Sequence, residues 1–363
     1  MLKSFGDLFF DIIIYHILLP ILFVIIVIIG VGVFWIFRHR WHSRFALAKE
    51  DIVSQLLLLL SFFFLGVTLL AFNRDLGDPL SWRTVILVTS VLGLVGAYYF
   101  KTVPTLALSL IGLAVWWGTQ AVAWLQDNHH IIKTSAIFAG LALITLLFYA
   151  LGRLQEKKVG LQRFALTFLI LGIIPVTGAL FFLSTREGIW LLEGMTPFGI
   201  PVSSSWQVSL SSLVVIAAIV GVMLYSARKK LVPPLEFIAV LGLAALFGII
   251  AFLPEQNMFA QGGRLSGTGV FWALVFNLAV FLELLGLIFS GYFKREKWLV
   301  NLGAFFFALL ILVKYFDWFF TFLDKSVFFI GAGVLLFMVG WFMERGRRYI
   351  LKGIQSEPRQ VSQ

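Results

Sequence analysis

Glu283 is the residue of this chain whose surroundings point most directly to chemistry. It stands in the apolar run Phe281–Phe289, near the middle of a stretch long enough to cross a bilayer. A carboxylate at that depth costs at least a few kcal/mol, so it should face the protein interior with a partner or a proton. We expect a neutral Glu283, turned inward and hydrogen-bonded, that serves a proton, a cation or a substrate. A purely structural hydrogen bond to a neighbouring helix is the alternative.

Further polar residues accompany Glu283 in the ninth and tenth apolar runs. Lys314 and Asp317 end the tenth run on its outer side, and Asn277 lies about two turns inside the ninth run at a similar depth. A lysine near a helix end can extend to the membrane surface, so Lys314 is also a candidate interfacial anchor. Asn301, near the start of the tenth run, completes the set of candidate functional residues.

Other residue types that bind metals or catalyse reactions give weaker indications. His39 and His42 share a helical face, and His129–His130 lie beside Asp127, but neither group has an evident third ligand, so we expect no metal site. The chain has no Cys, which excludes disulfides, iron–sulfur clusters and thiol catalysis. It has no Walker A, HExxH or GxSxG motif, and we expect no cofactor.

The composition requires lipid as the surrounding solvent. Hydrophobic residues make up 60% and charged residues 13% of the chain, whereas soluble domains carry roughly a quarter charged residues. The net charge of +10 comes from basic residues in short loops, without a nucleic-acid-binding motif. We therefore expect anionic lipid headgroups at the cytoplasmic basic loops as partners, and no nucleic acid.

Eleven apolar runs approach the length of about 20 residues that a spanning helix needs. They predict an all-α, polytopic transmembrane helix bundle that forms one integral membrane domain over residues 1–363, with residues 349–363 as a short cytoplasmic tail. The predicted spans are Ile12–Phe37, Ile52–Phe72, Thr84–Phe100, Val103–Trp124, Thr134–Leu151, Phe164–Ser184, Val208–Ser226, Leu235–Leu253, Val270–Phe293, Trp298–Phe316 and Ser326–Phe342.

The distribution of charge sets the direction of threading. Arg38, Arg40 and Arg44 directly follow the first run, which places the N-terminus outside and, after eleven spans, the C-terminus in the cytoplasm. In that orientation 20 of the 28 Lys and Arg residues fall on the cytoplasmic side. The acidic residues lean the other way, and six fall in outer loops: Asp75, Asp78, Asp127, Glu187, Glu193 and Glu255.

The longest outer loop is Thr185–Gln207, which mixes Gly, Pro and apolar residues. We expect it to rest on the membrane or cap the mouth of the bundle, with a short interfacial helix around Ile189–Leu192. Its Arg186, Glu187 and Glu193 are the only candidates for the acid–base cluster that a membrane-embedded transferase would need.

The C-terminal hairpin, residues 298–348, carries a recognisable pattern. Its distinctive positions are Asn301–Gly303, Tyr315–Asp317, Lys325–Ser326, the Gly331/Gly333 pair, and Glu344–Arg345 with Arg347–Arg348. In these the hairpin resembles a bacterial family of polytopic membrane proteins, the domain of unknown function family 2157 and its relative 4401. The resemblance implies a bacterial inner-membrane location and a small membrane partner protein of the GDYxxLxY type. It carries over no catalytic residues.

Two main classes of function follow. A transporter or translocation component, with a polar path near the ninth and tenth helices, is favoured by the number of helices, by Glu283 and by Pro20 and Pro175 inside spans. A non-catalytic scaffold or assembly partner for envelope proteins is favoured by the few intramembrane charges. A membrane-embedded transferase is third. An enclosed polar cavity lined by Glu283 would favour transport, and a solid apolar interior would favour the scaffold.

The charge asymmetry predicts on which side of the membrane each loop lies. Reporter fusions at Lys157 and Arg347 should be cytoplasmic and a fusion at Glu193 should lie outside, because basic loops are retained in the cytoplasm. Paired fusions to a periplasmic phosphatase and a fluorescent protein measure this. Finding Glu193 and Lys157 on the same side would contradict the eleven-helix threading.

Overall fold

The architecture is given by a computed structural model that describes residues 52–78, 80–126, 134–193, 206–253, 257–260, 264–319 and scattered residues between 330 and 345. These residues are mostly helical and contain no β-strand, apart from an isolated antiparallel bridge between Phe259 and Leu265. The helices are α1 (Ile52–Asp75), α2 (Trp82–Phe100), α3 (Val103–Gln126), α4 (Thr134–Gln155), α5 (Gln162–Leu183), α6 (Arg186–Leu191), α7 (Trp206–Arg228), α8 (Pro234–Phe252), α9 (Gly267–Lys294) and α10 (Lys297–Phe319).

Nine helices within the described ranges are long and apolar enough to cross a membrane. They are α1 to α5 and α7 to α10, and they match the second to tenth spans expected from hydrophobicity. The prediction of an all-helical, multi-pass membrane protein is thus confirmed. The first predicted span, Ile12–Phe37, lies outside the described residues, and Ser326–Phe342 is described only in part. The count of eleven therefore stays a prediction.

A polar cap sets the start of α9 earlier than its apolar run suggests. Ser266 Oγ accepts a hydrogen bond from Gly269 N at 3.1 Å, so the helix begins at Gly267 and not at Val270. Hydrophobicity locates the membrane core, whereas the capping residue decides where the helix begins. Glu283 therefore lies about 24 Å along the axis from the start of α9.

The described residues fall into two compact units. The first comprises the described residues within Met1–Gln120 and Gly160–Thr167, and so includes α1, α2, most of α3 and the start of α5. Helix α1 packs against α2. The side chains of Phe62 in α1 and Ser109 in α3 occupy the position that a Cβ of Gly93 in α2 would need. Small residues such as this glycine allow membrane helices to approach closely.

The second unit comprises Ala121–Val159 and Phe168–Gln363. Helices α4, α7 and α8 pack against one another, α10 packs along α9, and the short α6 contacts α9. The apolar core of this unit includes the fully buried Leu143, Phe247 and Phe276. Many large apolar side chains elsewhere in the described helices are exposed, as expected where lipid is the solvent.

The short helix expected within Thr185–Gln207 is α6 (Arg186–Leu191). Thr185 Oγ1 caps it by accepting a hydrogen bond from Gly188 N at 3.2 Å. Ile189 is buried in the core of the second unit, while Trp190 is exposed. The predicted short helix is therefore present, and residues 194–205 of the same loop lie outside the described part.

The close approach at Gly188 predicts a selective loss of stability. A Cβ added there would overlap the backbone of Phe182 and Leu183, so Gly188→Ala should destabilise the protein by roughly 1–3 kcal/mol. Gly178→Ala in α5 is the matched control, because a Cβ there meets no other atom within 4 Å. Thermal unfolding in detergent measures both. Equal unfolding temperatures for the two variants would show that α6 does not pack this tightly.

Candidate functional site

The predicted polar residues of α9 and α10 meet at the end of α5, in the second unit. The carbonyl oxygen of Ser184, just past α5, accepts hydrogen bonds from Lys314 Nζ at 2.6 Å and from Asn277 Nδ2 at 3.4 Å. The last carbonyls of a helix lack partners within that helix, so they are available to such donors. Asn277 Nδ2 also donates to Ala273 O at 2.7 Å. The expected similar depth of Asn277 and Lys314 is therefore observed, through a shared backbone acceptor.

Glu283 lies deeper along α9. The hydroxyl of the fully buried Thr177, in α5, donates a hydrogen bond to Glu283 Oε1 at 2.7 Å. Glu283 Oε2 is buried and has no hydrogen-bond partner among the described residues. The side chain is thus turned inward and hydrogen-bonded, as expected. Because buried polar atoms are normally satisfied, the second oxygen is available for a proton or a cation.

The structure brings no other predicted residue into this site among those whose side chains it describes. Asn301 is exposed on α10, away from the Ser184 carbonyl and Thr177 contacts. Asp317 lies in α10, but its side chain is outside the described residues. The histidine pairs His39/His42 and His129–His130 also lie outside the described residues.

A further polar cluster, which the sequence analysis missed, joins α4, α8 and α9. Arg153 is 1% exposed, and its Nε lies 2.6 Å from Glu236 Oε1 while its Nη1 lies 2.7 Å from Glu156 Oε2. Tyr149 Oη donates to the same Glu236 oxygen at 2.6 Å. Lys294 Nζ donates to Glu236 Oε2 at 2.7 Å. These five residues form the Glu236 network, in which one carboxylate connects three helices.

Local sequence explains the position of each member of the network. Tyr149 and Arg153 are four residues apart and so share a face near the end of α4. Pro234 begins α8 and places Glu236 in its first turn. Lys294 is the last residue of α9. Cations at helix C-termini and a carboxylate at a helix N-terminus each lie where the helix dipole favours their charge.

Glu296, between α9 and α10, adds a carboxyl group beside this network. Its Oε2 is buried and has no hydrogen-bond partner within the described ranges. Burial raises the pKa of Glu296, the charges of Arg153 and Lys294 oppose that rise, and Glu156 reinforces it. Glu296 therefore keeps its proton to a higher pH than an exposed glutamate does.

The sequence did contain a signal for this network. Among the acidic residues between Ile52 and Tyr315, those outside the predicted outer loops are Glu283, Glu156, Glu236 and Glu296. The last three all lie at the network. The predicted cytoplasmic segments are rich in Lys and Arg, because basic residues are retained on that side. A carboxylate in such a segment indicates that one of these basic residues has a specific ion-pair partner.

An open cavity of about 430 Å³ lies beside α6 in the same unit. It is lined by Arg186, Glu187, Trp190, Glu193 and Phe259, so the three acid–base candidates of the predicted outer loop share one cavity. The Arg186 guanidinium lies over the Phe259 ring, 5.8 Å from its centroid. Partial burial raises the pKa of Glu193. Glu283 does not line this cavity.

Comparisons with known proteins add no functional information. No family model, no curated protein and no solved structure matches the chain. The resemblance of residues 298–348 to family 2157 therefore stays a prediction, and the geometry of the polar contacts is the basis for assigning a function.

Removing the central carboxylate of the network should destabilise the protein. Glu236→Gln leaves Arg153 and Lys294 without their shared charged partner, and breaking a buried ion pair costs about 3–5 kcal/mol. Thermal unfolding in detergent measures the loss. Glu187→Gln, exposed on α6, makes the same chemical change and should leave the unfolding temperature almost unchanged.

A double-mutant cycle tests whether Arg153 and Glu236 act as a pair. Arg153→Met combined with Glu236→Gln should destabilise by less than the sum of the two single changes, because the second removal leaves no new unpaired charge between them. Strictly additive losses would show that the two side chains do not depend on each other.

Proposed function

We propose that the chain is a transporter or translocation component of the bacterial inner membrane, with eleven spans, the N-terminus outside and the C-terminus in the cytoplasm. The observation that carries the proposal is that α9 makes polar contacts with neighbouring helices at three levels, through Asn277, Glu283 and Lys294. Polar groups placed inside a membrane bundle commonly mark ion or substrate pathways. The resemblance of the C-terminal hairpin supports the location and a small membrane partner protein.

In the proposed path a small cation or proton would pass these three levels in turn. Asn277 and Glu283 are six residues apart, which is about 9 Å along the axis, and Lys294 follows about 16 Å further on. On α5, the facing residues Thr177 and Ser184 are seven residues apart and so lie on the same face two turns from each other. Helices α5 and α9 therefore present polar atoms at matching intervals.

Glu283 is the proposed site of the coupling ion. Thr177 holds one carboxyl oxygen, and the other oxygen can carry a proton or bind a small cation. Lys314, bound to the Ser184 carbonyl, places a positive charge at the next level along α9. Its charge opposes the entry of a cation from that side, so displacement of Lys314 would accompany access to Glu283.

The packing of the second unit supplies a moving part. Helices α9 and α10 form one close pair, and α4, α7 and α8 form a separate group. If the pair moves against the other helices, as in the rocking movements of many transporters, the polar contacts at the three levels must break and form again. In this proposal the described arrangement represents a closed state, because Glu283 does not line the cavity beside α6.

A non-catalytic scaffold is the second candidate. It is supported by the buried apolar residues of α9 on either side of Glu283, namely Phe276, Val280 and Leu284, and by Glu283 lining neither of the two described cavities. In a scaffold, the bond between Thr177 and Glu283 would serve only to hold α5 and α9 together. A membrane-embedded transferase is the third candidate, and the cavity with Arg186, Glu187 and Glu193 is where its reaction would occur.

Two substitutions of Glu283 distinguish transport from scaffolding. Glu283→Gln keeps the shape and the bond to Thr177 but cannot exchange a proton, so it should retain abundance and unfolding temperature while losing ion-linked function. Glu283→Leu also removes the hydrogen bond to Thr177. It should lower the free energy of unfolding by about 1 kcal/mol and therefore lower the unfolding temperature. Abundance, thermal unfolding and complementation of a deletion strain are the measurements.

A carbodiimide that reacts with protonated buried carboxyl groups supplies an independent measurement. Glu283 should be labelled in the wild-type protein, and excess Na⁺ should reduce labelling if the site binds that cation. Thr177→Val, which removes the hydroxyl at similar volume, should alter labelling without unfolding the protein. If Gln and Leu variants both match the wild type in every assay, Glu283 is neither functional nor structurally paired and the transporter proposal loses its main support.

A further inference from the structure

A second cavity, of about 190 Å³, opens on the first unit. It forms where several helix ends meet: the start of α1, the end of α2, and the starts of α3 and α5. The side chains that line it are Gln55, Lys101, Val103, Gln162, Arg163 and Phe164. The cavity therefore lies at the level where these membrane-spanning helices reach the membrane surface.

The polar lining of this cavity suits a phosphate group. Lys101 and Arg163 supply positive charge, and Gln55 and Gln162 supply amide donors. None of the described residues that line it is acidic. Guanidinium and ammonium groups form charge-assisted hydrogen bonds with phosphate oxygens, which makes this combination selective for a phosphate over a neutral or cationic ligand.

The apolar surroundings favour a lipid over a soluble phosphate compound. Phe164 is buried beneath the cavity and is held by an edge contact with Tyr98, whose ring centroid lies 5.1 Å away. Leu56, which follows Gln55, is 56% exposed, and Tyr99, two residues before Lys101, is 79% exposed. Exposed apolar side chains at the level of the helix ends contact acyl chains when lipid surrounds the protein.

We propose that this cavity binds the phosphate of an anionic phospholipid, whose acyl chains lie on the exposed apolar side chains of α1 and α2. Lys101 and Arg163 hold the phosphate, and the two glutamine amides orient it. The proposal is independent of transport, because every residue in it belongs to the first unit and Glu283 does not.

Native mass spectrometry of the full chain in detergent, titrated with phosphatidylglycerol, tests the proposal. A basic residue at an anionic surface contributes about fivefold to binding, so Lys101→Gln/Arg163→Gln should weaken the tightest binding event roughly 30-fold. Each single change should weaken it about fivefold. Arg228→Gln/Lys229→Gln removes the same charge from exposed positions of the second unit and should leave that event unchanged.

Two further ligands identify the source of the phosphate. Phosphatidylcholine, which has the same phosphate and chains but no net charge, should bind at least about tenfold more weakly than phosphatidylglycerol. Glycerol 3-phosphate should not displace the lipid at equal concentration, because it lacks the chains. Displacement by glycerol 3-phosphate, equal binding of the two lipids, or unchanged binding by the double variant would each overturn the proposal. The charge-conserving Lys101→Arg/Arg163→Lys variant should retain binding and so separates charge loss from misfolding.

Discussion

The pairing of Arg153 with Glu236 is the interaction on which the second unit depends. A guanidinium that is 1% exposed cannot remain in an apolar interior without a partner, so this contact limits how α4 and α8 can lie against each other. Lys294 extends the same constraint to α9. A shift of α9 by one turn, about 5.4 Å, would separate Lys294 from Glu236. The depth of Glu283 relative to Thr177 therefore follows from a charge contact eleven residues away along the same helix.

Helix α9 thus combines two kinds of packing. Its apolar residues, such as Phe276 and Val280, fill the core and could slide past similar neighbours at modest cost. Its polar residues cannot slide in this way, because each of them has a defined hydrogen-bond donor or acceptor on another element. Glu296 adds a carboxyl group beside the network, where the charges of Arg153 and Lys294 favour its ionised form.

Hydrophobicity was sufficient to predict the helices, and depth was sufficient to predict part of the site. The apolar runs located nine spans, and the cost of an intramembrane charge correctly turned Glu283 inward. Helix rise placed Asn277 and Lys314 at one depth, but their common acceptor is a backbone carbonyl that no residue type reveals. Asn301 was included on the pattern of its hairpin and is exposed. The Glu236 network was missed because Arg153 and Lys294 were interpreted only as topological charges, whereas partners on other helices are set by tertiary packing.

The acceptor shared by Lys314 and Asn277 has a consequence for genetics. Because it is the main-chain oxygen of Ser184, every amino acid at that position supplies the same atom. A library of side-chain substitutions would therefore remove either donor but would leave the acceptor atom itself in place. Losses at residue 184 in such a map would reflect its buried side chain, whose Oγ donates a hydrogen bond to Phe181 O, and not the main-chain oxygen at the centre of the contact. Only a change to the peptide bond itself, such as replacing the amide by an ester, would alter the strength of that oxygen as an acceptor.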